Sequence, residues 1–285
     1  MTIVVTGATG QFGRLVIEDL RTRVPADQIV ASTRNPAAAA DLGVEVRHGD
    51  YDRPETLRTA FAGADKLLIV STPAGESNEA RAKEHIHAVA AAAELGVGQI
   101  VYTSITAADT AKIALARAHR PTEEAIEATG IPYTFLRNNW YLENDLGTVH
   151  GALANGTIAT SSRGGKFAPV ARADYARAAA AVLATDGHQN VAYELGAPVS
   201  YGYADWADAV SAETGREITY TEVDDDAATA GLSAAGVPAH LVELIVDFYQ
   251  SLARGDMDVP SDDLVKLTGR QPVTPREFVA GVVRS

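Results

Sequence analysis

The residues best placed to do chemistry come first in the chain. Gly7, Gly10 and Gly13, in the stretch GATGQFG, make a G-x-x-G-x-x-G pattern between the β-branched run TIVVT and a helical pattern that begins at Gln11. A glycine-rich turn leading from a strand into a helix is a seat for a pyrophosphate. Its first glycine permits the tight turn, the second lets phosphate approach the backbone, and the third lets the helix pack closely on the strand. The helix N-terminus adds free N–H groups and partial positive charge. Thr9 and Gln11 can add side-chain contacts, and Phe12 completes the expected contact set of this loop. A plain βα turn is the alternative, and the flanking elements argue against it.

A second signal lies at the end of the next strand. A site for NAD usually carries an Asp or Glu there, about 20 residues past the loop, to hold the ribose hydroxyls. This chain has STRNP, with Arg34 and no acid nearby. A carboxylate would repel a 2′-phosphate, whereas a guanidinium grips it through paired charge-assisted bonds. The expected cofactor is therefore NADP(H). Asp50 and Tyr51 follow the third strand and are placed to border the adenine, although Asp50 could equally cap the next segment. Ser71 and Thr72 end the fourth strand, and Thr103 and Ser104 the fifth. Strand C-termini are where an open α/β sheet binds ligands, so these hydroxyls are candidates for ribose or nicotinamide contact. Closing a loop is the alternative for each of them.

One familiar constellation is missing. Short-chain dehydrogenases commonly place a Tyr-x-x-x-Lys pair on the helix after the fifth strand, the Tyr as proton donor and the Lys to lower its pKa. Four residues after Tyr102, Tyr133 and Tyr141 stand Thr106, Arg137 and Asp145, so no such pair exists. The corresponding helix carries His119, Glu123 and Glu124. His119 could pass a proton through water, or be structural. Metal chemistry is not expected. His85 and His87 are two apart on a helix and diverge, and no H-E-x-x-H occurs. There is no G-x-S-x-G nucleophile elbow.

The elements that must position these residues alternate. Strands are expected near residues 2–6, 28–34, 44–50, 66–72, 98–104 and 132–138, with helices between them. The helix before the last of these strands is read from PTEEAIEATG, with Pro121 near its start. Several of the strands are continuously apolar, as strands covered on both faces are. The fold class is α/β, a doubly wound parallel (Rossmann) sheet with a smaller, mostly helical C-terminal region. Residues 1–150 are expected to form the dinucleotide-binding domain, with 172–197 returning to it. Residues 151–171 and 198–285 are expected to form the substrate domain. The first of these pieces reads as hairpin-like. In AHLVELIVDFYQSLA, Leu241, Leu244, Ile245, Phe248 and Leu252 share one helical face, expected to pack on core.

Bulk composition narrows the partners. The chain has 285 residues, a formal net charge of −13 and no cysteine. An acidic chain without a basic run is a poor candidate for nucleic acid or an anionic membrane surface. The lack of cysteine excludes disulfides and thiolate chemistry. No apolar run is long enough for a membrane helix, and a cytoplasmic location is the default. A homodimer is compatible with the sequence.

The stretches GATGQFG, HGDYDRPETL, IVYTS, IPYTFLRNNWYLEN and SDDLVKL together resemble the NmrA-like, atypical short-chain dehydrogenase/reductase family, and within it bacterial NADPH-dependent quinone oxidoreductases and triphenylmethane reductases. The resemblance runs from the first strand to the last helix and is most specific at Arg137 to Asn144. It implies NADPH binding, absence of the Tyr–Lys pair, and reduction of quinones or cationic dyes. It also implies that Asn138 to Glu143 lies beside the nicotinamide and the acceptor pocket. Asn138 is then a cofactor contact, and Asn139, Trp140, Tyr141 and Glu143 are substrate contacts. Trp140 and Tyr141 could stack on a planar acceptor, or anchor the two domains. Tyr141 is a candidate proton donor beside His119. The family also includes NADP(H)-binding redox sensors without turnover, which is the alternative reading. An ordinary alcohol dehydrogenase or epimerase is disfavoured by the missing pair.

If Arg34 holds a 2′-phosphate, Arg34→Ala should weaken NADPH binding far more than NADH binding in a titration. Equal losses would refute the assignment.

Overall fold

The apolar runs of the first half become parallel strands buried on both faces. The computed structural model describes residues 1–73 and 77–284. Its strands are β1 (Ile3–Val5), β2 (Ile29–Thr33), β3 (Glu45–His48), β4 (Lys66–Ile69), β5 (Gln99–Ile105), β6 (Tyr133–Asn138), β7 (Thr157–Thr160), β8 (Val191–Leu195) and β9 (Thr219–Glu222). Its helices are α1 (Gln11–Leu20), α2 (Leu57–Ala60), α3 (Asn78–Leu95), α4 (Ala116–Ala128), α5 (Leu146–Asn155), α6 (Arg172–Ala184), α7 (Tyr203–Thr214), α8 (Asp225–Ala234), α9 (Ala239–Arg254), α10 (Asp263–Thr268) and α11 (Pro275–Arg284).

Among the described residues, seven strands form one sheet in the order β3-β2-β1-β4-β5-β6-β8. Every pairing in it is parallel. Alternate side chains point to opposite faces, so both halves of each apolar run find a core. Val4, Val30, Leu67, Ile100, Tyr102 and Phe135 pack under α2, α3 and α4. Ile3, Ala31, Leu68, Val101 and Leu136 pack under α1 and α6. The buried alanines of α6, Ala178 to Ala181, let that helix lie close against the sheet and α1. Strand order reverses between β1 and β4. An open α/β sheet opens a crevice at such a point, outside the carboxyl ends of its strands.

A third core unites the later chain around Trp140, Phe167, Tyr203, Trp206 and Phe248. Here the structure departs from three expectations. The segment after residue 151 is not a hairpin, because β7 pairs in parallel with β9, sixty-two residues away at Thr157↔Thr219. Period-two patterning gives a strand but not its partner. Helix α4 begins at Ala116, so Pro121 lies in its interior. The turn ahead of the proline is wound through short i→i−3 bonds, such as Arg117 N–H to Ala114 C=O at 3.0 Å. That tight start accommodates a residue without an N–H. On α9, Phe248 and Leu252 are buried as expected, joined by Tyr249 and Val242, but Leu241 is exposed.

The third glycine sets how closely α1 approaches β1. A Cβ at position 13 would stand 2.3 Å from the Gly7 carbonyl oxygen and 2.9 Å from Ala8 Cα. Those atoms are backbone and cannot move aside cheaply. Gly13→Ala should therefore destabilise the fold by about 1–3 kcal/mol or more in urea denaturation.

Candidate active site

The loop after β1 has the geometry its composition implies. Gly7 sits at φ +58°, a conformation open to glycine at little cost. Gly10 donates its N–H to the Gly7 carbonyl at 2.9 Å, closing the turn. Helix α1 then starts at Gln11 with no side-chain cap. Its first intrahelical bond is Arg14 N–H to Gly10 C=O. The N–H groups of Gln11, Phe12 and Gly13 therefore precede the helical ladder and are free for an anion. Gly7, Gly10 and Gln11 are exposed. The Phe12 side chain instead enters the core under the sheet, so this residue can serve a ligand only through its backbone. The Thr9 hydroxyl lies 2.9 Å from that of Thr33 and ties the loop to the end of β2.

Arg34 follows immediately. It is exposed, and among the described residues no hydrogen bond or ion pair engages its side chain. A guanidinium held at a strand end without a carboxylate is what a phosphate requires. Asp50 takes the capping alternative: its Oδ1 accepts the Asp52 N–H at 3.2 Å, and its own N–H donates to Thr56 Oγ1 at 2.9 Å. The Tyr51 hydroxyl points inward, 2.6 Å from Thr6 Oγ1, and donates to the Val70 carbonyl.

Across the crevice, the chain leaving β4 is stapled by side chains from other elements. Val70 N–H donates to Thr6 Oγ1 at 2.9 Å, Ser71 N–H to Thr103 Oγ1 at 2.8 Å, and Thr72 N–H to His85 Nε2 at 3.0 Å. The Thr103 hydroxyl in turn donates to Ser71 Oγ at 3.2 Å. Ser71, Thr72 and Thr103, expected at separate strand ends, thus lie together at the adjoining ends of β4 and β5. They hold one another and are held by Thr6 and His85. Neither partner had a signal stronger than a hydroxyl at a strand end and a histidine in a helix.

The segment from Asn138 to Asp145 crosses from the sheet to the later core. Asn138 is buried at the end of β6 and donates Nδ2–H to the Tyr141 hydroxyl oxygen at 3.1 Å. Its Oδ1 is buried without a partner among the described residues. Asn139 donates to the Met257 carbonyl at 3.0 Å, fastening the later core to the sheet. Trp140 stacks on Phe248 with ring centres 3.7 Å apart and donates Nε1–H to Asp145 Oδ2 at 3.0 Å. It takes the anchoring alternative over a free stacking platform. The Glu143 carboxylate accepts the Arg172 N–H at 3.0 and 3.1 Å and so caps the start of α6. Tyr141 keeps the most promising position. Arg172 stands 5.3 Å over its ring, and burial pushes its hydroxyl up to about 12. The oxygen accepts from Asn138, which leaves the O–H proton free to donate.

Helix α4, which follows β5, carries no Tyr–Lys pair, and its inward residues are engaged in structure. His119 is buried, with Nδ1 2.8 Å from the Tyr102 hydroxyl, and burial pushes its imidazole well below the usual range. One turn on, Glu123 binds Arg137 at 2.7 and 3.1 Å. The expectation of a water-relayed donor at His119 gives way to a neutral side chain within a buried network. Ser104 Oγ, near the end of β5, is buried without a partner among the described residues.

The crevice fits a dinucleotide. It offers a glycine cradle at a helix N-terminus, an unpaired arginine at the end of β2, stapled hydroxyls at β4 and β5, and an orphaned amide oxygen at β6. Fold and site together define a Rossmann-type dinucleotide-binding protein of the short-chain class that lacks the Tyr–Lys donor pair. The chain belongs to the NAD(P)H-binding family, whose model matches residues 7–186. It is 38% identical to quinone oxidoreductase 2 of Escherichia coli (strain K12) over 281 residues, 98% of this chain and 97% of that protein. The crystal structure of the E. coli NADPH-dependent quinone oxidoreductase complexed with NADPH matches with a TM-score of 0.95 at 38% identity, over 99% of this chain and 100% of that one. The Citrobacter sp. triphenylmethane reductase complexed with NADP(H) matches with a TM-score of 0.93 at 40% identity, over 99% and 100%. Among the described residues, no helix is long and apolar enough to cross a membrane. No group of three or more His, Cys, Asp or Glu among them is placed to hold a metal ion.

Asp145 is the site-supporting residue with a titration to follow. It accepts from Tyr203 Oη at 2.8 Å, Trp140 Nε1 at 3.0 Å and Thr148 Oγ1 at 3.3 Å. Burial outweighs these donors and pushes the carboxyl up from 3.8 to about 6. The native state then binds this proton more tightly than the unfolded chain. The associated stabilisation is complete below the unfolded value and is lost as pH rises through the folded one. Between about pH 4 and about pH 7, wild-type protein should lose roughly 2–3 kcal/mol relative to Asp145→Asn in parallel denaturant titrations. A difference between the two proteins that stays constant with pH would refute the assignment.

Proposed function

We propose that the protein is an NADPH-dependent oxidoreductase that transfers hydride to a quinone or a similar planar electrophile, such as a triphenylmethane dye. The observation that carries this reading is the combination of a phosphate-ready crevice with an α4 face given over to structure. The sequence has no Tyr-x-x-x-Lys pair to protonate an alkoxide, and on α4 His119 and Glu123 are bound to Tyr102 and Arg137. A simple ketone needs such a proton as hydride arrives. A quinone yields a stabilised hydroquinone anion that then takes its proton from water, and a triarylmethyl cation needs hydride alone. Positioning in a low-dielectric crevice suffices for both.

When bound, the reduced nicotinamide supplies the hydride. The chain's own residues bind, orient and exclude water. The Gly7–Gly13 loop and the N-terminus of α1 seat the pyrophosphate, and Arg34 takes the 2′-phosphate. Ser71, Thr72 and Thr103 border the nicotinamide half. Asn138 and Tyr141 offer it a carbonyl oxygen and a hydroxyl proton. Asn139, Trp140 and Glu143 hold this segment in place from behind. Residues 1–150 with 172–197 form the cofactor-binding part, and 151–171 with 198–285 cover the acceptor. That the chain's relatives are named as oxidoreductases supports catalysis over a sensor that binds NADP(H) without turnover.

Purified protein mixed with NADPH and a panel of quinones and triphenylmethane dyes should oxidise NADPH in an acceptor-dependent way, followed by the near-ultraviolet absorbance of the reduced nicotinamide. Tight NADPH binding with no acceptor-dependent oxidation would favour the sensor.

A further inference from the structure

The chain beyond β4 has no ladder to hold it, yet it forms one wall of the crevice. The order of the neighbouring strand ends says which part of a dinucleotide meets that wall. Arg34 follows β2, the glycine cradle follows β1, and Thr72 follows β4, with β2, β1 and β4 adjacent in the sheet. A dinucleotide with its adenosine 2′-phosphate at Arg34 and its pyrophosphate at the cradle extends its nicotinamide half over Thr72.

Both backbone polar groups of Thr72 are taken by one helix. His85 Nε2 accepts its N–H at 3.0 Å, and the Arg81 fork donates to its carbonyl from Nε at 3.1 Å and Nη2 at 2.9 Å. Arg81 and His85 stand four residues apart on α3 and so share a face. Both are buried, Arg81 5% and His85 0% exposed. Burying a guanidinium against a carbonyl is costly where an apolar residue would pack as well.

The tautomer is fixed by the surroundings. Nε2 accepts, so the imidazole proton is on Nδ1, which lies 3.2 Å from both Thr122 Oγ1 and Tyr102 Oη. Thr122 has already given its own proton to the Ala118 carbonyl, so its oxygen is free to accept. Tyr102 then donates to His119. Burial, with Arg81 alongside, pushes the His85 imidazole down to about 3, and it remains a neutral acceptor at ordinary pH.

We propose that Arg81 and His85 are positioning residues for the nicotinamide half of the cofactor, acting through the backbone of Thr72. The proposal rests on the NADP(H) reading above. It is tested by calorimetric titration of two ligands, NADPH and adenosine 2′,5′-bisphosphate, which lacks the nicotinamide half. His85→Leu should weaken NADPH about tenfold or more while bisphosphate affinity stays within about twofold. His85→Gln, whose amide oxygen can accept the same N–H, should recover most of the loss. If His85→Leu does not fold, Arg81→Lys keeps the charge but loses the fork, and the same selective loss is expected. Unchanged NADPH affinity in a folded variant, or an equal loss for both ligands, overturns the proposal. Wild-type protein that binds neither ligand refutes the cofactor reading and the proposal with it, a result separate from any variant.

Discussion

The near-contact between α1 and the turn after β1 governs the crevice. With no side chain at position 13, the helix backbone rests directly on the Gly7 carbonyl and Ala8 Cα. Its N-terminus is thereby aimed across the end of β1 at the point where strand order reverses. A helix displaced even by a methyl group would point its free N–H groups elsewhere. The loop beneath the helix in turn meets the end of β2 through the Thr9–Thr33 contact, and a Cβ at Gly7 would stand 3.4 Å from Val70 Cβ on the facing wall.

The crevice walls follow a second rule. Where strands end, backbone groups lose their ladder partners and must find others. Here the partners are Thr6, Thr103 and His85 for successive N–H groups, and Arg81 for a carbonyl. The wall is therefore organised before any ligand arrives, and less ordering is left to binding. The Asn138–Asp145 segment is treated in the same way. Its Leu142 N–H donates to the Val170 carbonyl, and Trp140 is clamped between Phe248 and Asp145. What remains exposed to a ligand is a small set of polar atoms on fixed supports.

The α4 face shows how one fold changes its chemistry. The helix and its place after β5 are those of a short-chain dehydrogenase, but the side chains at 119 and 123 bind Tyr102 and Arg137. Arg137 also reaches Glu194 at 3.2 Å, drawing β6 and β8 into the same ionic cluster. These contacts tie α4 to β5, β6 and β8 and strengthen the sheet's far edge.

Much of this was readable from residue types in order. The glycine spacing between a β-branched run and a helical pattern announced the cradle. Continuous apolar runs announced strands covered on both faces, and the absence of an acid near Arg34 announced that this arginine would stand unpaired after β2. Those features depend on neighbours in sequence and on periodicity, which a single chain displays. Tertiary structure alone decided the rest, because it concerned which of several competent partners a group would meet. It put Glu143 on the N-terminus of α6, Trp140 against Phe248, Asp50 in its own turn, and β7 beside a strand sixty-two residues away. It also chose His85 and Arg81, unremarkable on a long alanine-rich helix, to hold the backbone of Thr72. Hydrogen-bonding capacity is written in each residue, but partnership is settled by long-range packing, and local sequence carries no record of it.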